Sequence, residues 1–131
     1  MIQTNIIVNL SVEGIHNWPD AKKKMPDVAF LSDKHRHIFN FCLKKKVSHS
    51  DRDVEIILFK RSVLEYLYET YGLQHEPDSY YKWCNFGSKS CEMLADELLK
   101  QFRLEYCSVL EDNENGAEVY CLVHVPPTVF R

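Results

Sequence analysis

Two stretches near the start of the chain alternate between apolar and polar residues, the two-residue period of a half-buried β-strand. In residues 3–13 an apolar side carries Ile6, Val8, Leu10 and Val12, and a polar side carries Asn5, Asn9, Ser11 and Glu13. In residues 35–47 one side carries His35, His37, Phe39, Phe41 and Leu43. We therefore predict two strands, paired antiparallel, with the end of the first beside the start of the second.

The remainder of the chain predicts two helices and a final hairpin. From Phe59 to Tyr71 apolar residues recur every four positions, and Gly72 is a natural stop, whereas residues 54–58 indicate an extended approach. Ser90 is a typical N-cap for a second helix, which would bury Leu94, Leu98 and Phe102. Residues 104–111 and 117–124 read as two strands around a turn at 112–116, where Asn-Gly accommodates positive φ.

This order of elements predicts a single α+β domain over residues 1–131, with an antiparallel four-stranded sheet and two helices on one face. Two long loops, residues 17–34 and 73–90, join the elements. We expect Trp18, Phe30 and Leu31 to hold the first loop against the body of the protein. The aromatic residues of the second loop could wall a planar ligand, but local packing is the better interpretation.

Composition and charge narrow the class of protein. The net charge of -3 and the pI of about 6.1 provide no broad basic field, so nucleic acid is not an expected partner. The short lysine runs at 22–24 and 44–46 indicate solvated faces, with a local anion site as the alternative. No signal peptide or membrane-spanning run is apparent, and five cysteines without a CxxC pair indicate reduced thiols. We therefore expect a cytoplasmic protein without membrane contact.

The histidines give the first indication of chemistry. In the predicted pairing, His35 and His37 stand at the mouth of an apolar face, and His16 closes the neighbouring strand on the same face. Three imidazoles that converge in this way have the geometry of a metal site with an open position. The alternative is that they are hydrogen-bonded structural residues, which is the commoner role of a single histidine on an apolar face.

Several short motifs follow one another in the order found in the tetrahydropterin synthase family, which includes pyruvoyl- and carboxy-tetrahydropterin synthases. Each motif is degenerate, but together they span nearly the whole chain. The corresponding segments are His16, His35–His37 for the family's HGH, Val54–Lys60, Leu73–His75 for L-D-H, Lys89–Ala95 for P-T-x-E-N-L-A, and Cys107–Glu111. The chain thus resembles a divergent member of this family.

The resemblance implies a fold, a metal and a ligand. The fold would be the tunnelling fold (T-fold), whose sheets assemble into an oligomeric barrel with sites at subunit interfaces. Zinc would be held by His16, His35 and His37. The Glu111 carboxylate would accept hydrogen bonds from the ring N–H groups of a planar heterocycle. The alternative is that Glu111 is an ordinary carboxylate at the end of a strand, with no role in binding. Glu92 in the helix motif, and Arg36 in place of the HGH glycine, are further expected ligand-binding residues.

The departures from the family pattern concern catalysis. Leu31 stands where the synthases carry a cysteine upstream of HGH, and Gln74 replaces the aspartate that precedes His75. Leucine cannot move a proton, and glutamine cannot stabilise a charged imidazole as aspartate does. His75 and Asp33 are therefore the expected catalytic residues. Ser32, His49 and Asp51 are further candidates for a rearranged acid–base pair.

Two functions follow from the resemblance. The first is a zinc-dependent synthase or lyase of the pterin or deazaguanine pathways, acting on a dihydroneopterin triphosphate-type substrate. The second is a catalytically degenerate T-fold protein that binds or sequesters a pterin, a deazaguanine or a purine nucleotide. A purely structural homo-oligomer, with the histidines used for packing, is a third possibility.

Overall fold

The computed structural model describes residues 1–73 and 82–122, and these form an α+β domain. The strands are β1 (Thr4–His16), β2 (His35–Val47), β3 (Cys84–Asn85), β4 (Tyr106–Glu111) and β5 (Asn115–Tyr120). The helices are α1 (Ala21–Lys24), a 3₁₀ helix (Pro26–Ser32), α2 (Ile56–Tyr71) and α3 (Cys91–Phe102). No helix in the described ranges is long and apolar enough to cross a membrane.

The sheet is mixed and has the strand order β3-β1-β2-β4-β5. Neighbouring strands are antiparallel except β3, which runs parallel to the end of β1 at Gly14 and Ile15. The prediction of a four-stranded antiparallel sheet was therefore incomplete. The sheet has a fifth strand of two residues, which lies where a loop was expected. A strand this short carries no periodicity from which it could be predicted.

The predicted pairing of the first two strands is confirmed. β1 and β2 pair along their full lengths, with His16 opposite His35 and Gly14 opposite His37. Alternate residues of both strands face the helices, because a strand presents successive side chains to opposite faces. The histidines therefore lie on the same face as the core, at one end of it.

The core lies between one face of the sheet and helices α2 and α3. Its fully buried large side chains include Phe39, Phe41, Leu43, Leu67, Leu94 and Leu98. Phe86 joins this core, and its ring centroid lies 4.8 Å from that of Phe39. Gly14 makes room for it, since a Cβ at Gly14 would lie 2.6 Å from the Phe86 ring. Packing is thus confirmed for this aromatic residue of the second loop, whereas Tyr80 and Tyr81 lie outside the described residues.

The first helix predicted from the pattern begins earlier than expected. Residues 54–58 were expected to be extended, but α2 starts at Ile56 because Glu55 acts as its N-cap. The Glu55 carboxylate accepts hydrogen bonds from the backbone N–H groups of Ile57 and Leu58. These bonds lower the pKa of Glu55. Glutamate is not among the usual capping residues, which is why the pattern missed this start.

The first loop is also more regular than expected, since it contains α1 and the 3₁₀ helix. The backbone N–H of Trp18 donates to the Leu31 carbonyl over 2.7 Å and joins the two ends of the loop. The Asn17 N–H donates to the Gly87 carbonyl and connects the loop to the segment after β3. The expectation for Phe30 was wrong, because this residue is 68% exposed.

The final hairpin is confirmed with a different turn. Asp112 and Asn113, rather than the Asn-Gly pair, take positive φ, and the Glu114 N–H donates to the Glu111 carbonyl. Gly116 instead lies within β5, where a Cβ would come 1.8 Å from the Val109 carbonyl oxygen. Its role is close backbone approach, which only glycine permits.

Candidate metal centre

Three histidines converge at the end of the sheet where β1 finishes and β2 begins. The ring centroid of His16 lies 4.5 Å from that of His35 and 5.6 Å from that of His37, and the His35 and His37 centroids are 5.0 Å apart. His16 is buried, and the other two are half-buried. The juxtaposition predicted from strand parity is therefore present.

Each of the three rings has its Nδ1 atom against an oxygen. The Nδ1 of His16 lies 2.8 Å from the Lys89 carbonyl, and that of His35 lies 2.9 Å from the Asp33 carbonyl. The Nδ1 of His37 lies 2.7 Å from a carboxylate oxygen of Asp112. Because a carbonyl only accepts, Nδ1 of His16 and His35 must carry the hydrogen. In a neutral ring the Nε2 lone pair is then free to bind a metal, and such outer-shell hydrogen bonds are typical of metal-ligating histidines.

Glu111, the last residue of β4, completes the cluster. Its Oε2 lies 2.9 Å from Nε2 of His16 and 2.8 Å from Nε2 of His37. One ligand atom from each of these residues and from His35 can be chosen so that all four lie within 4.8 Å of one another. A neutral imidazole lone pair facing a carboxylate oxygen is repulsive unless a proton or a metal cation lies between them.

The donor set fits zinc. Neutral imidazole nitrogen and carboxylate oxygen are both normal zinc ligands, and three histidines with one further ligand match its tetrahedral preference. The cluster offers no thiolate, although Cys91 lies nearby. The fold and this cluster together define the class of protein: an α+β domain with a candidate tri-histidine metal centre at one end of its sheet.

Asp112 orients His37 and was not identified from the sequence. Its Oδ1 accepts from the backbone N–H of Ile38 over 2.8 Å, while its Oδ2 contacts His37. The Ile38 N–H, followed by His37, lowers the pKa of Asp112. Glu111 and Asp112 therefore contact the two nitrogens of one imidazole. Their adjacency at a hairpin turn was a signal that could have indicated this role.

The acceptor of His16 is held in place by a second cluster. The Lys89 ammonium lies 2.9 Å from Oε1 of Glu97, whose carboxylate also accepts from the hydroxyls of Tyr66 and Tyr71. Lys89 immediately precedes the Ser90 N-cap of α3, which accepts from the Met93 N–H as predicted. The contacts between α2 and α3 therefore hold Lys89, whose carbonyl orients the His16 ring.

A cavity of about 600 Å³ opens beside the histidines. This volume is in the range of sites for small organic ligands. Its lining includes His16, His35 and Glu111 from the metal cluster, Trp18, Met25, Leu31 and Met93 as apolar walls, and Asn17, Lys89, Ser90, Cys91 and Glu92. A small, partly polar molecule could therefore contact the candidate metal centre from this side.

The structure brings some expected ligand and catalytic residues to the cavity and not others. Glu92 lines it, near the N-terminus of α3. The Asp33 side chain is exposed, and this residue contacts the cluster only through its carbonyl. Arg36 is not brought to the cavity, because strand alternation turns it to the opposite face, where it pairs with Glu13. His75 lies outside the described residues.

The further candidates for proton transfer do not meet the metal cluster in this chain. Ser32 donates to the Ala29 carbonyl within its own helix. His49 and Asp51 lie in the turn after β2, at the other end of that strand, roughly 40 Å from the histidines at the usual rise per residue.

Leu31 lines the cavity at the position where the family resemblance places a cysteine. Cys91 also lines the cavity, but burial, followed by the charges of Glu111 and Glu92, raises its pKa to about 12. A thiol with such a pKa is almost entirely protonated at neutral pH and is a poor nucleophile. All five cysteines are free, and three of them are buried, as expected for reduced structural thiols.

Comparisons with protein-family models and with curated proteins find no match to this chain.

Proposed function

We propose that the protein is a zinc-binding T-fold protein of the tetrahydropterin synthase type that takes a small planar heterocycle beside the metal. One observation carries this proposal: three imidazoles place Nδ1 against oxygens, and one ligand atom from each of them lies within 4.8 Å of those of the others and of Glu111. Hydrogen-bonded structural histidines would not need to converge. The free cysteines agree with the cytoplasmic location expected for such a protein.

Zinc would be held by His16, His35 and His37, and when bound it would polarise a carbonyl or hydroxyl oxygen of the ligand. The chain's own residues support the rest of the site. Trp18 and Leu31 offer apolar surface for a flat ring. Glu92 and Glu111 offer carboxylates, which make strong charge-assisted hydrogen bonds to ring N–H donors.

Binding is the function that the described residues support best. A lyase or synthase acting on a dihydroneopterin triphosphate-type substrate would also need a positioned acid or base, which contributes roughly 10²–10⁴ in rate. Glu92 is the candidate that lines the cavity, and His75 is the candidate from the family resemblance. Leu31 in place of a cysteine favours a protein that sequesters its ligand without turnover.

The metal is tested by elemental analysis of the purified protein. About one zinc per chain is expected from a single set of three histidine ligands. The double variant His35→Ala, His37→Ala should lose it, whereas His49→Ala, at the other end of β2, should keep it. Zinc retained by the double variant, or none in the wild type, would contradict the proposal.

The ligand is tested by calorimetry with neopterin, a deazaguanine and guanosine monophosphate, each with zinc-loaded protein and with the double variant. Binding should require zinc and should be tightest for one of the bicyclic rings. Turnover is followed with dihydroneopterin triphosphate in the wild type, His75→Ala and Glu92→Gln. Turnover that is lost in either variant supports the enzyme, and tight binding without turnover supports sequestration. If none of these molecules binds, the proposed ligand class is wrong.

A further inference from the structure

We infer that Glu111 is the fourth metal ligand when the cavity is empty, and that it leaves the metal when a heterocycle enters. The inference rests on the proposed zinc site and gives Glu111 a role beyond that of a ring anchor. The fourth metal ligand would then be Glu111 in the resting protein and an oxygen of the heterocycle in the complex. Glu111 would therefore regulate access to the zinc.

The position of Glu111 supports the first part. It pairs with Phe39 on β2 and Asn115 on β5, so its backbone is fixed from both sides. From there its Oε2 reaches Nε2 of both His16 and His37, at 2.9 and 2.8 Å. The carboxylate therefore contacts the imidazoles as well as lining the cavity, which a residue used only to hold a ring would not need.

The electrostatics point to the same role. His16 donates its Nδ1 hydrogen to the Lys89 carbonyl, so a neutral His16 presents a lone pair toward Glu111. Two electron-rich groups at this separation repel unless a proton or a metal cation lies between them. A metal ion held by both groups would remove this repulsion, so the contact is one that two ligands of the same ion can make.

The second part follows from the two oxygens of one carboxylate. Glu111 belongs both to the metal cluster and to the cavity wall, and its side chain is 27% exposed. No described residue donates a hydrogen bond to Oε1. An incoming ring with two N–H donors could take both oxygens, and the bond from the metal to Oε2 would then be replaced by one to an oxygen of the ligand. Ligands exchange at the metal, and no redox step is involved.

The first test compares zinc affinity in wild type and Glu111→Gln, measured by competition with a chromogenic chelator. Removing the charged ligand should weaken zinc binding by at least about tenfold, the lower bound seen even for outer-shell partners. Glu114→Gln is the matched control, because Glu114 is exposed and lies in the same turn. Equal zinc affinities in Glu111→Gln and Glu114→Gln would overturn the inference.

The second test uses wild-type protein and does not depend on the folding of a variant. In crystals loaded with zinc alone, a Glu111 oxygen should lie about 2.0–2.2 Å from the anomalous zinc peak. With cobalt in place of zinc, neopterin should change the visible spectrum as Glu111 is displaced. A water molecule in the fourth position, with Glu111 turned away, would overturn the inference while leaving the zinc site intact. Absence of zinc would instead refute the proposed function itself.

Discussion

Asp112 shows how much of the candidate site depends on a residue that is not itself a metal ligand. Its two carboxylate oxygens connect the Ile38 amide to the His37 ring. The ring is thereby fixed with its other nitrogen toward Glu111. A ligand held in one orientation loses less conformational freedom when it binds, so Asp112 should contribute to affinity without touching the metal.

Asp112→Asn is expected to weaken zinc binding by about tenfold to a hundredfold, the range observed for outer-shell partners of metal ligands. Asparagine tolerates the positive φ of this position, so the turn should be kept. Chelator competition gives the affinity, and a circular dichroism spectrum confirms the fold. The control is Asn113→Asp, a change at the neighbouring turn residue. If Asp112→Asn binds zinc as strongly as this control, Asp112 only shapes the hairpin.

At the same scale, sequence reasoning found the three candidate metal ligands and missed the groups that orient them. Strand parity was sufficient for the three histidines, because it fixes which side chains share a face. The acceptors of His16 and His35 are backbone carbonyls of Lys89 and Asp33, which every residue type possesses. Side-chain identity therefore carries no information about them. Arg36 was misplaced for the opposite reason: its charge suggested a role, but its parity turns it to the other face.

At the scale of the elements, Glu97 connects the two long helices, α2 and α3. On α3, it accepts from Tyr66 and Tyr71 of α2 and pairs with Lys89. Burial raises the pKa of Glu97, but the hydrogen bonds from Tyr71, Lys89 and Tyr66 outweigh burial, so the pKa lies below its usual value. The charged carboxylate is therefore the form that stabilises the packing of the two helices.

Glu97→Gln is expected to lower the free energy of unfolding at neutral pH by about 1–3 kcal/mol, through lost charge-assisted bonds. Because the pKa of Glu97 is lowered in the folded state, its contribution is present above the unfolded value of 4.5 and is lost as the pH falls through the folded one. Denaturant titrations at neutral and acidic pH should show the gap between variant and wild type shrinking in acid.

The control for this prediction is Asp96→Asn, because Asp96 is half exposed and pairs with Lys100 on the surface of the same helix. Such surface pairs contribute little, typically about 0.3–0.5 kcal/mol. A loss of stability in Glu97→Gln that is equally large at every pH would show that shape, rather than charge, matters at this position.

The elements themselves were predictable where periodicity was sustained. β1, β2, α2 and α3 each show a regular apolar pattern, and all four are present, as is the final hairpin. β3 has two residues, and α1 has four, so neither is long enough to show a period. Their positions depend on tertiary contacts, such as the Phe86 ring over Gly14, that no local pattern contains.

At the scale of the whole molecule, the sheet formed by residues 1–73 and 82–122 has edges that lack a partner strand. β1 pairs on its outer side only at Gly14 and Ile15, and within the described residues no strand covers the outer edge of β5. Exposed edges of this length promote association, and closed symmetric assemblies remove them. The expected homo-oligomer would satisfy both edges at once.

We expect a symmetric homo-oligomer, trimer-based or larger, in light scattering at micromolar concentration. The Cys121 N–H donates to the backbone carbonyl of Glu105, the residue before β4, so strand alternation turns the Glu118 N–H toward the free edge. Glu118→Pro removes that outward donor and should dissociate the assembly, whereas Glu118→Ala removes only the side chain and should not. A wild-type monomer would contradict the prediction.

The short parallel strand β3 has a consequence for amide hydrogen exchange. The Phe86 N–H donates to the Ile15 carbonyl, and the Asn17 N–H donates to the Gly87 carbonyl. The exchange rates of these two amides therefore report whether β3 and the residues after it are attached to the end of β1. Zinc held by His16 would oppose the local detachment of this segment from β1, because His16 also donates a hydrogen bond to the Lys89 carbonyl in the same segment. Both amides should exchange more slowly after zinc is added, whereas the Ser48 amide, at the other end of β2, should exchange at an unchanged rate.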